Sequence, residues 1–162
     1  MSKEEIKFED FLMNVSPENL GFVHETHDLM LQRGCSCKIE AAKSGHVLSY
    51  VLPKTKKVIA NYVFRKSGLI IRVYGDNISK YADFLHSLPD GMVRAIEKAP
   101  VCKRLIDPDK CNSRCPLGYV FDLHGKTYQN CRYSSFMFDV KEENYDSIRS
   151  FLERELKERT VS

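Results

Sequence analysis

The apolar residues of this chain keep a helical period up to Gly34 and switch to a period of two from Cys37 onward. A stretch patterned for one period cannot bury its apolar side in the other conformation, so the switch divides the fold into helical and extended portions. Phe8, Phe11, Leu12 and Val15 share one side of a short amphipathic helix. Ser16-Pro17-Glu18-Asn19 then supplies an N-cap with proline at the first helical position. The helix it opens carries Leu20, Val23, His27, Met30 and Leu31 along one face, and Gly34 is expected to end it as a left-handed cap.

Strands are expected near 37–42, 46–52, 57–65 and 69–75, broken at Lys43-Ser44-Gly45, Pro53-Lys54-Thr55 and Lys66-Ser67-Gly68. Connections this short favour antiparallel pairing. Asp76 or Asn77 is expected to cap a helix through Ile78, Tyr81, Ala82 and Leu85. After Pro89-Asp90-Gly91 a second short helix holds Met92, Val93 and Ile96 and stops at Pro100. Three further strands, near 118–123, 126–132 and 135–140, lead into a helix over 143–158. Tyr145, Ile148, Phe151, Leu152 and Leu156 form its apolar stripe, and Arg159-Thr160-Val161-Ser162 is expected to fray.

The two halves have the outline of a degenerate repeat. Gly45-His46-Val47-Leu48-Ser49-Tyr50 faces Gly118-Tyr119-Val120-Phe121-Asp122-Leu123, and each set of strands runs into a helix with Asp83-Phe84-Leu85 or Ser150-Phe151-Leu152. The expected fold class is α+β, a mostly antiparallel sheet with helices on one face; a true repeat would make it two βββα units around a pseudo-two-fold, and the plainer alternative is that any two strand-and-helix units look alike at this level. The 162 residues suffice for one domain with a sizeable core. Residues 1–100 would form the helical N-terminus and first sheet half, and 101–162 the cysteine loop and second half.

Between the halves lies Cys102-Lys-Arg-Leu-Ile-Asp-Pro-Asp-Lys-Cys111-Asn-Ser-Arg-Cys115-Pro, with a further thiol at Cys131. The N-terminus lacks the apolar core of a secretion signal, and no apolar run approaches the ~20 residues of a membrane span, so a cytoplasmic protein with no membrane partner is expected. Cytosolic thiols stay reduced, which favours metal ligation over disulfides. Four thiolates fill zinc's tetrahedron, so Cys102, Cys111, Cys115 and Cys131 are the candidate ligands, with zinc ahead of an iron–sulfur cluster. Lys103, Arg104, Arg114 and Arg132 would offset the excess negative charge. The spacing lacks the two tight Cys-x-x-Cys knuckles of common zinc ribbons, and buried thiols acting as small hydrophobes are the plainer reading, most of all for Cys131. Cys35 and Cys37 form a separate pair at a helix-to-strand junction, where packing is the commoner role.

Strand alternation puts Val58, Ala60, Tyr62, Phe64, Leu69, Ile71, Val73, Phe136, Phe138 and Val140 on an apolar face. The opposite face would collect Tyr50, Asn61, Arg65, Arg72, Tyr74, Tyr128 and Arg132, a mixture able to stack on a planar ligand or grip an anion. An ordinary solvated sheet face is the plainer alternative. Net charge is +3 with cations and acids interleaved, so nucleic acid is permitted without being favoured. His24-Glu25-Thr26-His27 spaces its histidines three apart, short of a zincin helix, and His27 is expected in the core. Asp107-Pro108-Asp109 is too short for a calcium loop. No catalytic signature is present.

Phe11-Leu12, the Ser16-Pro17-Glu18 cap and Gly68-Leu69-Ile70-Ile71-Arg72-Val73-Tyr74 resemble small uncharacterised bacterial cytosolic proteins of the YdhG-like type. The resemblance covers the first half only and implies no catalytic residue. The expected function is therefore binding of a small molecule or partner protein at the polar face, beside a structural zinc site. The alternatives are a redox protein using the cysteines and a nucleic-acid binder using the Arg/Tyr face.

Overall fold

The computed structural model describes residues 6–43, 45–107, 109, 111 and 114–160; Ser44, Pro108, Val161 and Ser162, on which some expectations fall, lie outside them. Phe8–Leu12 form α1 and Pro17–Gln32 form α2. Gly34 ends α2 at φ +91°, a conformation that a Cβ would strain. The chain then alternates through β1 (Ser36–Ala42), β2 (Gly45–Leu52), β3 (Lys57–Arg65) and β4 (Gly68–Val73). Two 3-10 turns, Ile78–Lys80 and Ala82–Ser87, precede α3 (Asp90–Lys98) and the short α4 (Lys103–Ile106). The hairpin of β5 (Tyr119–Leu123) and β6 (Lys126–Asn130), then β7 (Met137–Asp139) and α5 (Glu142–Thr160), complete the order.

The main sheet is five-stranded and antiparallel, in the order β1-β2-β3-β4-β7, while β5 and β6 form a two-stranded sheet of their own. The α+β class and antiparallel pairing are as expected; the single sheet is not. Among the described residues only β7 of the second half joins the first half's strands, because the hairpin packs its Tyr119 and Phe121 against Phe136 instead of extending the ladder. The expected helix after Asn77 is replaced by 3-10 turns. Asn77 spends its backbone N–H on the Glu155 carboxylate, and Tyr81 at φ −140° separates the two turns.

Cross-strand register puts Leu48, Tyr62, Ile71 and Phe138 in one row and Tyr50, Ala60 and Val73 in the next. This face is covered by α2 and α5. Phe22 of α2 stacks on Tyr145 of α5 with ring centroids 4.2 Å apart, and Arg149 grips Glu25 across the same seam at 2.6 Å. Tyr50 therefore lies on the helix-covered face and is 1 % exposed, not on the polar face where alternation was expected to place it. It shares the phase of Leu48 and Leu52, and a tyrosine can be buried wherever its hydroxyl finds a partner. Here the partner is His27 Nδ1 at 2.9 Å, and Tyr62 is satisfied in the same way by Thr26 at 2.7 Å. The tail corrects a second expectation: Arg159 is bonded into the protein, not frayed.

Among the described residues no helix is long and apolar enough to cross a membrane.

His27 stacks on Phe8 at 3.8 Å and is half-buried. Desolvation holds its imidazole below the ordinary histidine pKa, against opposing pulls from Asp28 and Glu9. The unfolded chain thus binds this proton more tightly, so protonation favours unfolding. The stability advantage of the wild type over His27→Gln should be full above about pH 6.5 and shrink as the pH falls through that value. Urea unfolding of both proteins across that window measures it.

Candidate functional site

The cysteine segment is fastened to the edge of the hairpin by backbone pairing. Val101 bridges to Asn130, the Cys102 N–H donates to the Gln129 carbonyl at 2.7 Å, and the Cys131 N–H donates to the Pro100 carbonyl at 2.8 Å. These bonds hold Cys102 and Cys131 on neighbouring stretches of chain. Cys131 lies just past the end of β6 and opens a tight turn, in which Ser134 and Ser135 donate their N–H groups to its carbonyl. The return arm is held by Arg104 of α4, whose guanidinium donates to the Cys115 carbonyl.

The result is a cavity of about 350 Å3 whose walls include all four candidate cysteines, Cys102, Cys111, Cys115 and Cys131, together with Lys103, Arg104, Arg114 and Arg132. Cys102 is buried, Cys115 and Cys131 are half-buried, and Cys111 is exposed at the rim; all are free thiols. Among the described residues no three of His, Cys, Asp or Glu stand close enough together to hold a metal ion. One thiol already has a donor aimed at it: the Gly118 N–H points at Cys102 Sγ from 3.3 Å. Gly118 cannot carry a side chain there. A Cβ would overlap the Asn130 carbonyl oxygen and come 2.7 Å from Cys102 Cβ.

Cys35 and Cys37 stand elsewhere, at the junction of α2 and β1. Desolvation raises both thiols, Cys37 to about 11, so they remain protonated packing groups.

A second cavity of about 220 Å3 adjoins the first and shares Arg132 and Tyr133 with it; Lys57, Val58, Tyr74, Asp76 and Pro116 complete its lining. Of the residues expected on the polar face, Tyr74 and Arg132 meet here, with the guanidinium 5.4 Å from the ring. Arg72 stands behind them, donating to the Tyr133 carbonyl at 2.6 Å and to Asn61 Oδ1 at 3.3 Å. Asn61 is buried beneath it. Arg65 is exposed at the far end of β3, opposite Gly68. Tyr128 stacks on Phe121 in the hairpin with the Lys126 ammonium 5.0 Å from its ring. The set is dispersed because the 131–135 turn folds down over the end of β4 and divides that face.

Sequence reasoning missed the groups beneath the second cavity. Glu155, fully buried, accepts from the Tyr81 hydroxyl at 2.5 Å, from Asn77 Nδ2 at 2.8 Å and from Arg159 Nε at 2.7 Å. Arg159 also donates to the Val58 and Tyr74 carbonyls and stands 3.4 Å from Asp76. Asp76 accepts from Arg132 at 2.8 Å and from the Tyr119 hydroxyl at 3.1 Å. Two carboxylates and two guanidiniums thus form one neutral chain from α5 to the wall of the cysteine cavity. Burial, followed by the adjacent carboxylates, pushes the Tyr81 and Tyr119 hydroxyls far above the ordinary range and keeps them as donors. A signal was present in the sequence: Glu155 interrupts the apolar stripe of α5 between Leu152 and Leu156, with Arg159 one turn on.

Comparison of the chain with protein-family models, with curated proteins and with solved structures gives no match.

Removing one member of a buried ion pair strands the other. Glu155→Gln should cost about 3 kcal/mol in urea unfolding. Glu153→Gln, an exposed acid on the same helix, should change stability by less than about 0.5 kcal/mol.

Proposed function

We propose that this is a small cytosolic binding protein in which Cys102, Cys111, Cys115 and Cys131 hold a structural zinc ion. One observation carries the proposal: thiols as much as 29 positions apart in sequence, from Cys102 to Cys131, line the walls of one cavity. Burying small apolar groups does not require this convergence, since Cys111 is exposed and stabilises no core.

The chemistry of the walls supports the reading. Four thiolates around a divalent ion leave two excess negative charges, and Lys103, Arg104 and Arg114 stand in the same lining to offset them. The Gly118 N–H directed at Cys102 Sγ is the kind of outer-shell donor that orients a thiolate ligand. Cys102 and Cys131 are set by the backbone pairing described above. Zinc–sulfur bonds are ~2.3 Å long, so ligation would draw the four thiols closer together than the cavity walls hold them. Binding energy would then serve as folding energy for the cysteine segment.

The neighbouring cavity, with Tyr74, Arg132 and Tyr133 in its lining, is the proposed seat of a small-molecule or peptide ligand. Arg132 borders both cavities, so the metal clasp would also set the position of the ligand-contacting wall. The redox alternative places an iron–sulfur cluster on the same four thiols.

Protein purified without chelator should carry about one zinc per chain by elemental analysis. Iron with visible absorption would assign the redox alternative, and metal-free protein with all four thiols freely titrating would contradict both. Gly118→Ala, which crowds Cys102, should weaken zinc retention about 10-fold or more in a competition with a chromophoric chelator.

A further inference from the structure

The two edges of the main sheet are built differently. β7 is three residues long, and the Asp139 carbonyl at that edge is occupied by the Asn144 side-chain amide at 2.9 Å. β1 is seven residues long and, among the described residues, pairs only with β2. Among the described residues, no other backbone hydrogen bond begins or ends on Ser36–Ala42. An open edge of this length presents a row of free N–H and C=O groups and is a template for another strand.

We propose that the occupant is β1 of a second copy of this chain, paired antiparallel about a two-fold axis through Ile39. The argument is charge complementarity. Lys38 and Glu40 lie on one face of β1, where their side chains meet at 2.9 Å and are 70 % and 64 % exposed. A two-fold axis perpendicular to the sheet keeps the helices of both copies on one side, and it requires a residue of β1 to face its own counterpart. Centred on Ile39, the register sets Lys38 of each copy opposite Glu40 of the other and closes four charges into an alternating square. Centred one residue away it sets Lys38 against Lys38, or Glu40 against Glu40, which is repulsive.

The other face of the strand fits the same register. Cys37 and Ile39 share the side of Tyr50 and Leu48, their cross-strand partners, and both are only half-buried in the single chain. In the dimer Ile39 packs on Ile39 and Cys37 on Ala41, extending the apolar layer across the seam. Leu31 lies on the flank of α2 turned away from α5 and is 44 % exposed. The α2 helices of the two copies would lie along the seam and cover it. A lysine on an edge strand ordinarily discourages pairing. Here Glu40, two residues on, supplies the charge that turns a deterrent into a register device.

The test is the mass of the full chain in solution by sedimentation, at low salt and a range of concentrations. Wild type should be a dimer. Lys38→Glu alone and Glu40→Lys alone should each weaken dimerisation about tenfold or more, because each sets like charges opposite one another twice. Mixing these two variants should restore a dimer containing one copy of each, since every facing pair is again of opposite sign. Both side chains are exposed, so circular dichroism should show unchanged folding. A wild type that stays monomeric at the highest concentration, single variants that dimerise as wild type does, or a mixture that remains monomeric would each overturn the proposal.

Discussion

The ion pair between Glu155 and Arg159 is the interaction on which the arrangement of this protein most depends. Isolated charges cannot be buried at acceptable cost, and a buried pair is tolerated only when its remaining lone pairs and protons are bonded. Glu155 meets that condition with Tyr81 and Asn77, and Arg159 meets it with two backbone carbonyls and Asp76. These partners come from β3, from the link after β4 and from the ends of the first 3-10 turn. The pair thereby fixes α5 against β3, the end of β4 and the 3-10 turns at once, and through Asp76 and Arg132 it reaches the cysteine segment. Hydrophobic burial supplies most of the stability, but it is indifferent to small slides of α5 along the sheet. The charge chain is not indifferent to them.

That chain also gives the cysteine region a partly buried ionic anchor. Arg132 is held between Asp76 and the rings of Tyr74 and Tyr119, and its neighbours Cys131 and Tyr133 turn into the two cavities. A metal held by the four thiols would tie the walls of their cavity together, which is the proposed role of the clasp.

Much of the fold was legible in the sequence because its patterns are local. The period switch at Cys37, the Ser16-Pro17 helix start, the Gly34 stop and the alternation of β3 and β4 all follow from short-range rules, and their elements stand within a residue or two of expectation. Expectations failed where distant groups overrode local preference. Tyr50 went into the core because His27, 23 residues away, satisfies its hydroxyl. The helix after Asn77 shortened to 3-10 turns because Glu155 claims the Asn77 N–H. β5 and β6 left the main sheet because their aromatic face packs on Phe136. The four cysteines could be grouped from spacing, and they do border one cavity. The seven polar-face residues could not be, since alternation says which side a residue faces but not whether a later turn will cover it. Glu155 was visible as an acid in an apolar stripe, and that kind of local inconsistency marks a site worth explaining.

The most direct measurement is the electronic spectrum of the intact chain loaded with cobalt(II) in place of zinc, for wild type and for the four single Cys→Ser variants. A tetrahedral four-thiolate site predicts intense thiolate-to-cobalt charge transfer in the wild type and a weakened, shifted spectrum in every variant, with Cys35→Ser unchanged. A weak spectrum typical of cobalt bound by water and carboxylates, or one that no cysteine variant alters, would contradict it.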